Sequence, residues 1–410
     1  MNAMRCAIVA TFLVCVHAAG AACPPSRFAI IFSMGYVKDA LPRDATGFER
    51  VVKAVKDAHF NVILCSHTAE RAAICKKHGM LMFVDLLAKE HHVYMNPDGC
   101  RKLCASLRDN PGIYGYHLWS DNIAGTAPGR SRDVKNVQEW DGTHPAYVGC
   151  YKMSKMSAVQ GMDLFGYYDF HWKRGGHWAN LTRASHLARE RKVPFLRYDD
   201  ARAGIVGKGN PNRVGYTIAT SIPFGLRGYM FHYAGGVVDS RTGQLDALGE
   251  DLKKVNARFA SIGAELMKLD VPSAVYSTPI TVGPNDKPTG AAAIPNGLLP
   301  VPKDAVFQVN AGELLIGVCR DASKHDVLIL ANHNPYRSQD VTLTLSENGK
   351  SAERYDRAAG AWKALPITKG QVKVTVEDYR PELLRLRILP CSAACAGKTV
   401  IEQSPARERE

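Results

Sequence analysis

Residues 113–121 read IYGYHLWSD, a short apolar run that ends in aromatic and acidic side chains. Two later runs end in the same way, LFGYYD at residues 164–169 and FLRYDD at residues 195–200. Helical stretches separate six runs of this kind. Strands that alternate with helices indicate parallel β/α units, and eight such units close into a (β/α)8 barrel.

The whole chain of 410 residues is long enough for two domains. Eight strands are predicted between Phe28 and Phe231, and the last barrel helix is predicted over Gln244 to Leu269. These elements define a (β/α)8 (TIM) barrel, the predicted catalytic domain, over residues 23–271. The polar stretch from Asp121 to His144, which follows the fourth strand, is predicted to be a long binding loop.

The pattern changes after Val271-Pro272-Ser273. Beyond this point apolar residues alternate with period two, turn residues separate the runs, and no convincing helix appears. The pattern predicts an antiparallel β-sandwich over residues 272–390. Residues 391–410 are polar and are predicted to form a flexible tail.

The N-terminus is predicted to be a signal peptide over residues 1–22. Arg5 precedes an apolar run that is too short to span a membrane comfortably, and Ala19-Gly20-Ala21 supplies small residues for cleavage. A buried first helix is the alternative. Cys23 follows directly and could carry a lipid anchor, although Gly20 stands where such signals normally have Leu. No later run is long and apolar enough to cross a bilayer, so we expect export to the periplasm, the envelope or the extracellular space.

The formal net charge is +13. A basic exported protein favours an anionic partner such as a uronate or sulfated polysaccharide, but scattered surface charge that aids solubility explains the same number. We find no dense Lys/Arg block and no nucleic-acid motif, so no nucleic acid is expected. Cys100 and Cys104 are predicted on one helix face. Core packing or a disulfide is favoured over a metal pair there, because no second pair with supporting His lies nearby.

Carboxylates at predicted strand ends are the candidates for chemistry. Glycosidic bond hydrolysis usually takes two carboxyl groups, one to donate a proton and one to attack the sugar or activate water. Three residues are predicted to be catalytic: Asp169, Asp121 and Asp200. Asp85 and Asp199 also end strands, and for each aspartate a helix or turn cap is the alternative interpretation.

Aromatic and basic residues near the same strand ends are predicted to bind substrate. These residues are Trp119, His117, His171, Trp172, Arg197, Tyr198, Asp199 and His232. Sugar rings stack on aromatic side chains, whereas sugar hydroxyls need hydrogen-bond partners. Packing of the barrel core is the alternative for the aromatic residues, and pairing with aspartate is the alternative for Arg197. The histidines show no HxH or HExxH spacing, so neither a metal nor another cofactor is expected.

Three stretches resemble the exported glycoside hydrolase-like proteins of bacteria, which carry a (β/α)8 barrel followed by a β-sandwich. They are Asn110 to Trp119, Tyr216 to Phe231, and Tyr355 to Trp362, and the likeness covers residues 27 to 390. The resemblance implies hydrolysis of O-glycosidic bonds in a poly- or oligosaccharide.

The chain departs from that family's pattern after the fourth strand. Residues 119–122 read WSDN, whereas many such proteins place Asp-Glu-Pro or Asn-Glu there, and the seventh strand offers Asp199-Asp200 and no Glu. Enzymes similar to α-galactosidases use Asp at strands four and six, which matches Asp121 and Asp169 by position. On that basis Asp169 is expected to be the proton donor or base, Asp121 its partner, and Asp200 a substitute for either.

Two further hypotheses remain open at this point. The first is a non-catalytic glycan-binding protein on a degenerate glycosidase barrel, which the missing Glu residues favour. The second is a polysaccharide lyase that uses Tyr and His, with Arg197 holding a uronate. The fold itself does not decide among these functions.

Overall fold

The computed structural model describes residue 25 and residues 27–34, 44–88, 91–120, 127–150, 153–168, 177–199, 201, 213–231, 236–239, 241–282, 288–334, 337–346 and 349–388. The predicted signal peptide, Cys23 and the predicted tail lie outside these residues. Within the described ranges, no helix combines the length and the apolar character needed to cross a lipid bilayer.

Eight parallel strands form a closed barrel in the order β1 to β8. They are β1 Ala29–Ser33, β2 Val62–Cys65, β3 Leu81–Asp85, β4 Ile113–Ser120, β5 Ala146–Cys150, β6 Leu164–Tyr168, β7 Phe195–Asp199 and β8 Leu226–Phe231. The helices are α1 Ala45–Asp57, α2 Ala69–Lys77, α3 Pro97–Leu107, α4 Ala127–Trp140, α5 Met153–Met156, α6 His177–Arg191, α7 Arg213–Ser221 and α8 Ala247–Leu266. A 3-10 helix, Ile222–Phe224, follows α7. The predicted (β/α)8 barrel is confirmed.

Local sequence explains why these segments alternate. β1 and β2 read AIIFS and VILC and are buried throughout, because parallel barrel strands are covered on both faces. α1 begins after Asp44, whose carboxylate accepts a hydrogen bond from the amide of Gly47 at 2.8 Å. This side chain caps the first turn, and the apolar residues of α1 then pack on the barrel.

The prediction of a long binding loop from Asp121 to His144 is wrong for most of these residues. α4 occupies residues Ala127–Trp140, and residues 121–126 lie outside the described chain. Part of the buried face of α4 is polar: Arg130 and Asp133 are both buried and form an ion pair at 3.4 Å. These charged residues interrupt the apolar period that would identify a helix from sequence.

An antiparallel β-sheet domain follows the barrel. Its strands are β9 Ala274–Ser277, β10 Ile280–Val282, β11 Pro288–Ala293, β12 Phe307–Ala311, β13 Leu314–Arg320, β14 Asp326–Asn332, β15 Gln339–Leu345, β16 Gly349–Asp356, β17 Ala361–Leu365, β18 Gln371–Val376 and β19 Glu382–Ile388. One sheet has the order β12-β15-β18, the other β17-β16-β19-β14-β13-β9, and β10 pairs with β11. Apolar side chains from the two larger sheets share one core, so the predicted β-sandwich is confirmed.

The barrel and the sandwich also share a continuous apolar core. Leu315 and Ile329, on the six-stranded sheet, belong to the same buried cluster as the barrel helices. Trp178 of α6 packs edge-on against His333 of the sandwich, with 5.1 Å between ring centroids. The Trp362 indole donates a hydrogen bond to Glu265 of α8 at 2.9 Å. The two domains are therefore joined by a buried interface rather than by a linker alone.

Candidate active site

The predicted catalytic residues follow barrel strands that end on one face. β6 pairs with β7, with Tyr168 opposite Tyr198, and β5 separates β6 from β4. The carboxyl ends of parallel barrel strands open on the same face. Several predicted site residues lie outside the described chain: Asp121, Asp169, Asp200, His171, Trp172 and His232. Three of them are the next residue after β4, β6 or β7 in the sequence.

Two tyrosine rings fill the barrel interior where β6 and β7 end. The rings of Tyr168 and Tyr198 have centroids 4.5 Å apart and planes inclined by 38°. Both rings are buried, and they belong to an interior cluster with Leu196 and Met230. Tyr198, predicted to bind substrate, therefore lies inside the barrel, at the end from which the chain continues to Asp200.

His117 also lies inside the barrel, paired with a carboxylate. Its Nδ1 is 3.1 Å from Oδ1 of Asp85, the last residue of β3. The imidazole stacks on Tyr147 with 5.4 Å between centroids and meets the edge of Phe83. The same Asp85 oxygen accepts a hydrogen bond from the amide of Leu87 at 3.1 Å. Two donors thus converge on one carboxylate at the carboxyl end of β3.

Arg197 and Asp199 lie on the opposite side of β7 from Tyr198. The Arg197 guanidinium donates to Asp199 at 3.0 Å and to the Tyr167 hydroxyl at 2.8 Å. It also reaches Ser221 of α7 at 3.3 Å. Alternate residues of a strand face opposite sides, so these two side chains lie between the barrel and its helices. The substrate-binding role expected for them stays a prediction.

Trp119 lies in β4 beyond an irregularity in the pairing of that strand. Its backbone pairs with Val148, and the register between β4 and β5 shifts between His117 and Trp119. Such an extra residue disrupts the ladder and bends the strand locally. The irregularity lies next to the predicted site, where β4 leads into residues 121–126.

A second hydrogen-bonded cluster braces β4 from behind. The Tyr116 hydroxyl donates to Asp141, whose other contacts include Thr143 and His144. Burial raises the pKa of Asp141, but hydrogen bonds from His144, Thr143 and Tyr116 outweigh it and lower that pKa to about 2. The cluster joins β4 to the segment that leads into β5, and so fixes the strand that carries His117.

Sequence reasoning identified Asp85 as a strand-end carboxylate but not as the partner of His117. The pairing of β3 with β4 places Asp85 opposite His117, and this register is not visible in the sequence. Ser33, which ends β1 and is fully buried, was not singled out. Its position at the end of the first strand was the available signal. Among the described residues, no group of three or more His, Cys, Asp or Glu side chains could hold a metal ion.

The chain matches no family model and no curated protein sequence. Its structure is similar to the β-D-glucuronidase of Dictyoglomus thermophilum over 57% of this chain and 51% of that one, with 11% identity and a TM-score of 0.45. The chain thus spans about half the length of the glucuronidase. An Anoxybacillus α-amylase is similar over 89% of this chain and 99% of its own, with 12% identity and a TM-score of 0.48.

A third similar structure is the endo-β-1,4-mannanase of Thermotoga petrophila. It aligns with 88% of this chain and 95% of its own, with 10% identity and a TM-score of 0.40. At these identities the likeness concerns the fold. The fold itself is established by the closed strand order of the barrel and by the three sheets that follow it.

Proposed function

We propose that the protein hydrolyses O-glycosidic bonds of a poly- or oligosaccharide at the carboxyl end of its barrel. The supporting observation is the junction of β6 and β7, where the buried Tyr168 and Tyr198 rings adjoin at 4.5 Å. Each strand leads directly into a predicted catalytic aspartate, Asp169 or Asp200. Paired carboxyl groups suit proton transfer to and from a glycosidic oxygen.

In this proposal Asp169 acts as the proton donor or base and Asp121 as its partner, with Asp200 able to replace either. The distance between the two carboxyl groups sets the stereochemistry. A separation of about 5–5.5 Å leads to retention, and about 6.5–9.5 Å leaves room for water and leads to inversion. The protein is proposed to act after export, and its charge of +13 suits an anionic glycan.

The test is reducing-end release from neutral, uronate and sulfated polysaccharides by wild type, Asp169→Asn and Asp98→Asn. Asp98 is a matched control, because its side chain is 82% exposed on α3 and has no part in the proposed chemistry. We expect release by wild type and Asp98→Asn and a loss of about a hundredfold or more in Asp169→Asn. Equal release by all three proteins would remove Asp169 from the mechanism.

A binding-only barrel is the second candidate function. The observation that favours it is the segment WSDN at residues 119–122, which lacks the Glu that many related barrels use there. It predicts glycan binding that survives Asp169→Asn and no bond cleavage on any polysaccharide. An unsaturated product that absorbs ultraviolet light would instead indicate a lyase.

A further inference from the structure

The described residues of the barrel contain two aspartate–histidine pairs, and the pairs differ at the second ring nitrogen of the histidine. Behind β4, His144 Nδ1 is 2.8 Å from Oδ2 of Asp141, and its Nε2 is 3.0 Å from the carbonyl oxygen of Asn110. Both nitrogens of this ring are occupied. The pair has no remaining capacity to bind a ligand and serves to hold β4 in place.

In the interior pair, by contrast, the second ring nitrogen of the histidine is available for a hydrogen bond. His117 Nδ1 contacts Asp85, but its Nε2 has no hydrogen-bond partner within the described part of the chain. The ring is fully buried. A buried polar atom that makes no hydrogen bond is costly, so each instance in a native structure needs an explanation. A ligand that enters the barrel and completes the hydrogen bond supplies one.

The surroundings of His117 show where that ligand would lie. The imidazole is held between β3 and β5, against Phe83 and stacked on Tyr147, so its orientation is fixed by packing. The Oγ of Ser33, at the end of β1, is a second buried polar atom without a partner in the described residues. The interior end of the site therefore presents polar atoms that the described residues leave without a hydrogen bond.

We propose that Asp85 is a positioning residue that fixes the tautomer of His117, so that His117 Nε2 accepts a hydrogen bond from a sugar hydroxyl. A carboxylate can only accept, so the proton of the neutral ring is held on Nδ1. The ring nitrogen left without a proton is then Nε2, which needs a donor. The sugar as ligand rests on the proposed function, whereas the tautomer rests on the contact with Asp85 alone.

The direct test is nitrogen NMR on the full-length protein labelled at histidine, with the His117 signals assigned by their loss in His117→Gln. We expect a proton on Nδ1 of His117 in wild type. In Asp85→Ala no carboxylate accepts from Nδ1, so the preference for a proton on Nδ1 should be lost and protons should move to Nε2. Asp321→Ala is the matched control, because it breaks an aspartate–histidine contact outside the barrel, Asp321 Oδ2 to His325 Nδ1 at 3.2 Å, and should leave the His117 tautomer unchanged.

The ligand step is tested by titrating D-glucose, D-galactose, D-mannose and D-glucuronate while following the same signals. At least one sugar should shift the His117 Nε2 resonance, and Asp85→Ala should weaken that binding about tenfold. Asp321→Ala should bind the sugar as wild type does.

A proton on Nε2 of His117 in wild type would overturn the role of Asp85. No shift with any sugar would overturn the role of Nε2 as a sugar contact. Hydrolysis is measured separately, so a missing or Asp169-independent activity, alongside a sugar-sensitive His117 signal, would reject the proposed function and leave this inference standing.

Discussion

Acidification should destabilise the protein through one buried histidine at the junction of its two domains. His333 is fully buried, its Nε2 is 3.0 Å from the Ser277 hydroxyl, and its ring packs against Trp178. Burial, with a smaller contribution from neighbouring His177, lowers the pKa of His333 from 6.5 to about 3. The folded protein therefore holds this ring neutral at pH values where the unfolded chain protonates it.

The sign and size of the effect follow from proton linkage. The contribution of the neutral His333 ring to stability is fully present above pH 6.5, the pKa of this group in the unfolded chain. It falls as the pH drops, and the loss levels off below about pH 3, the pKa of His333 in the folded protein. Between about pH 7.5 and about pH 5 the proton taken up by the unfolded chain costs about 2 kcal/mol of stability. A cost of this size is a large share of the stability of an ordinary domain.

Urea unfolding of wild type and His333→Gln at the two pH values measures this difference. The variant keeps a polar atom for Ser277 and loses the titrating ring, so its stability should fall by about 2 kcal/mol less on acidification. Any change in packing around the new side chain acts equally at both pH values and cancels in this comparison. His186→Gln, at a side chain that is 59% exposed, should behave as wild type. Equal acid losses in wild type and His333→Gln would refute the reasoning.

Three further substitutions test the packing of the protein, each by urea unfolding at neutral pH. Asp199→Asn should lower the free energy of unfolding by about 3–5 kcal/mol, because it removes the carboxylate charge that pairs with the buried Arg197 guanidinium. Asp98→Asn on the surface should lower it by less than about 1 kcal/mol. Similar losses in the two variants would contradict this account. Gly317→Ala should cost about 1–3 kcal/mol, since its new Cβ would lie 2.3 Å from a carbonyl oxygen of the 3-10 helix. Gly129→Ala, in open space on α4, should instead stabilise by about 0.5–1 kcal/mol, and a loss there would count against the placement of that helix.

The sequence predicts elements well where burial makes them uniformly apolar, and poorly where it does not. β14 and β15 have the predicted bounds, because five consecutive apolar residues of β14 are buried and β15 alternates buried apolar residues with polar ones. β17 was not predicted from periodicity, because most of its five residues are exposed and leave no apolar alternation. α4 was not predicted, because Arg130 and Asp133 interrupt the apolar pattern on its buried side. The two charges are buried there as an ion pair.

The candidate site shows the same limit at the level of single side chains. A strand-end motif identifies residues near the carboxyl end of the barrel, but it does not give the face of the strand. FLRYD in β7 places Tyr198 inside the barrel and Arg197 and Asp199 outside it. The partner of His117 depends on the register between β3 and β4, which the sequence does not encode locally.

These placements narrow which carboxyl groups can perform hydrolysis. Asp199 is engaged by Arg197 behind the barrel wall, so it is poorly placed to reach a glycosidic oxygen. Asp85 faces the interior, but its Oδ1 already accepts from His117 and from the Leu87 amide, which suits a positioning role rather than proton donation. On the proposed mechanism the acid and its partner are then found among Asp121, Asp169 and Asp200, which follow β4, β6 and β7. If hydrolysis occurs and survives the change of each of these three to Asn, the acid and its partner are not among them.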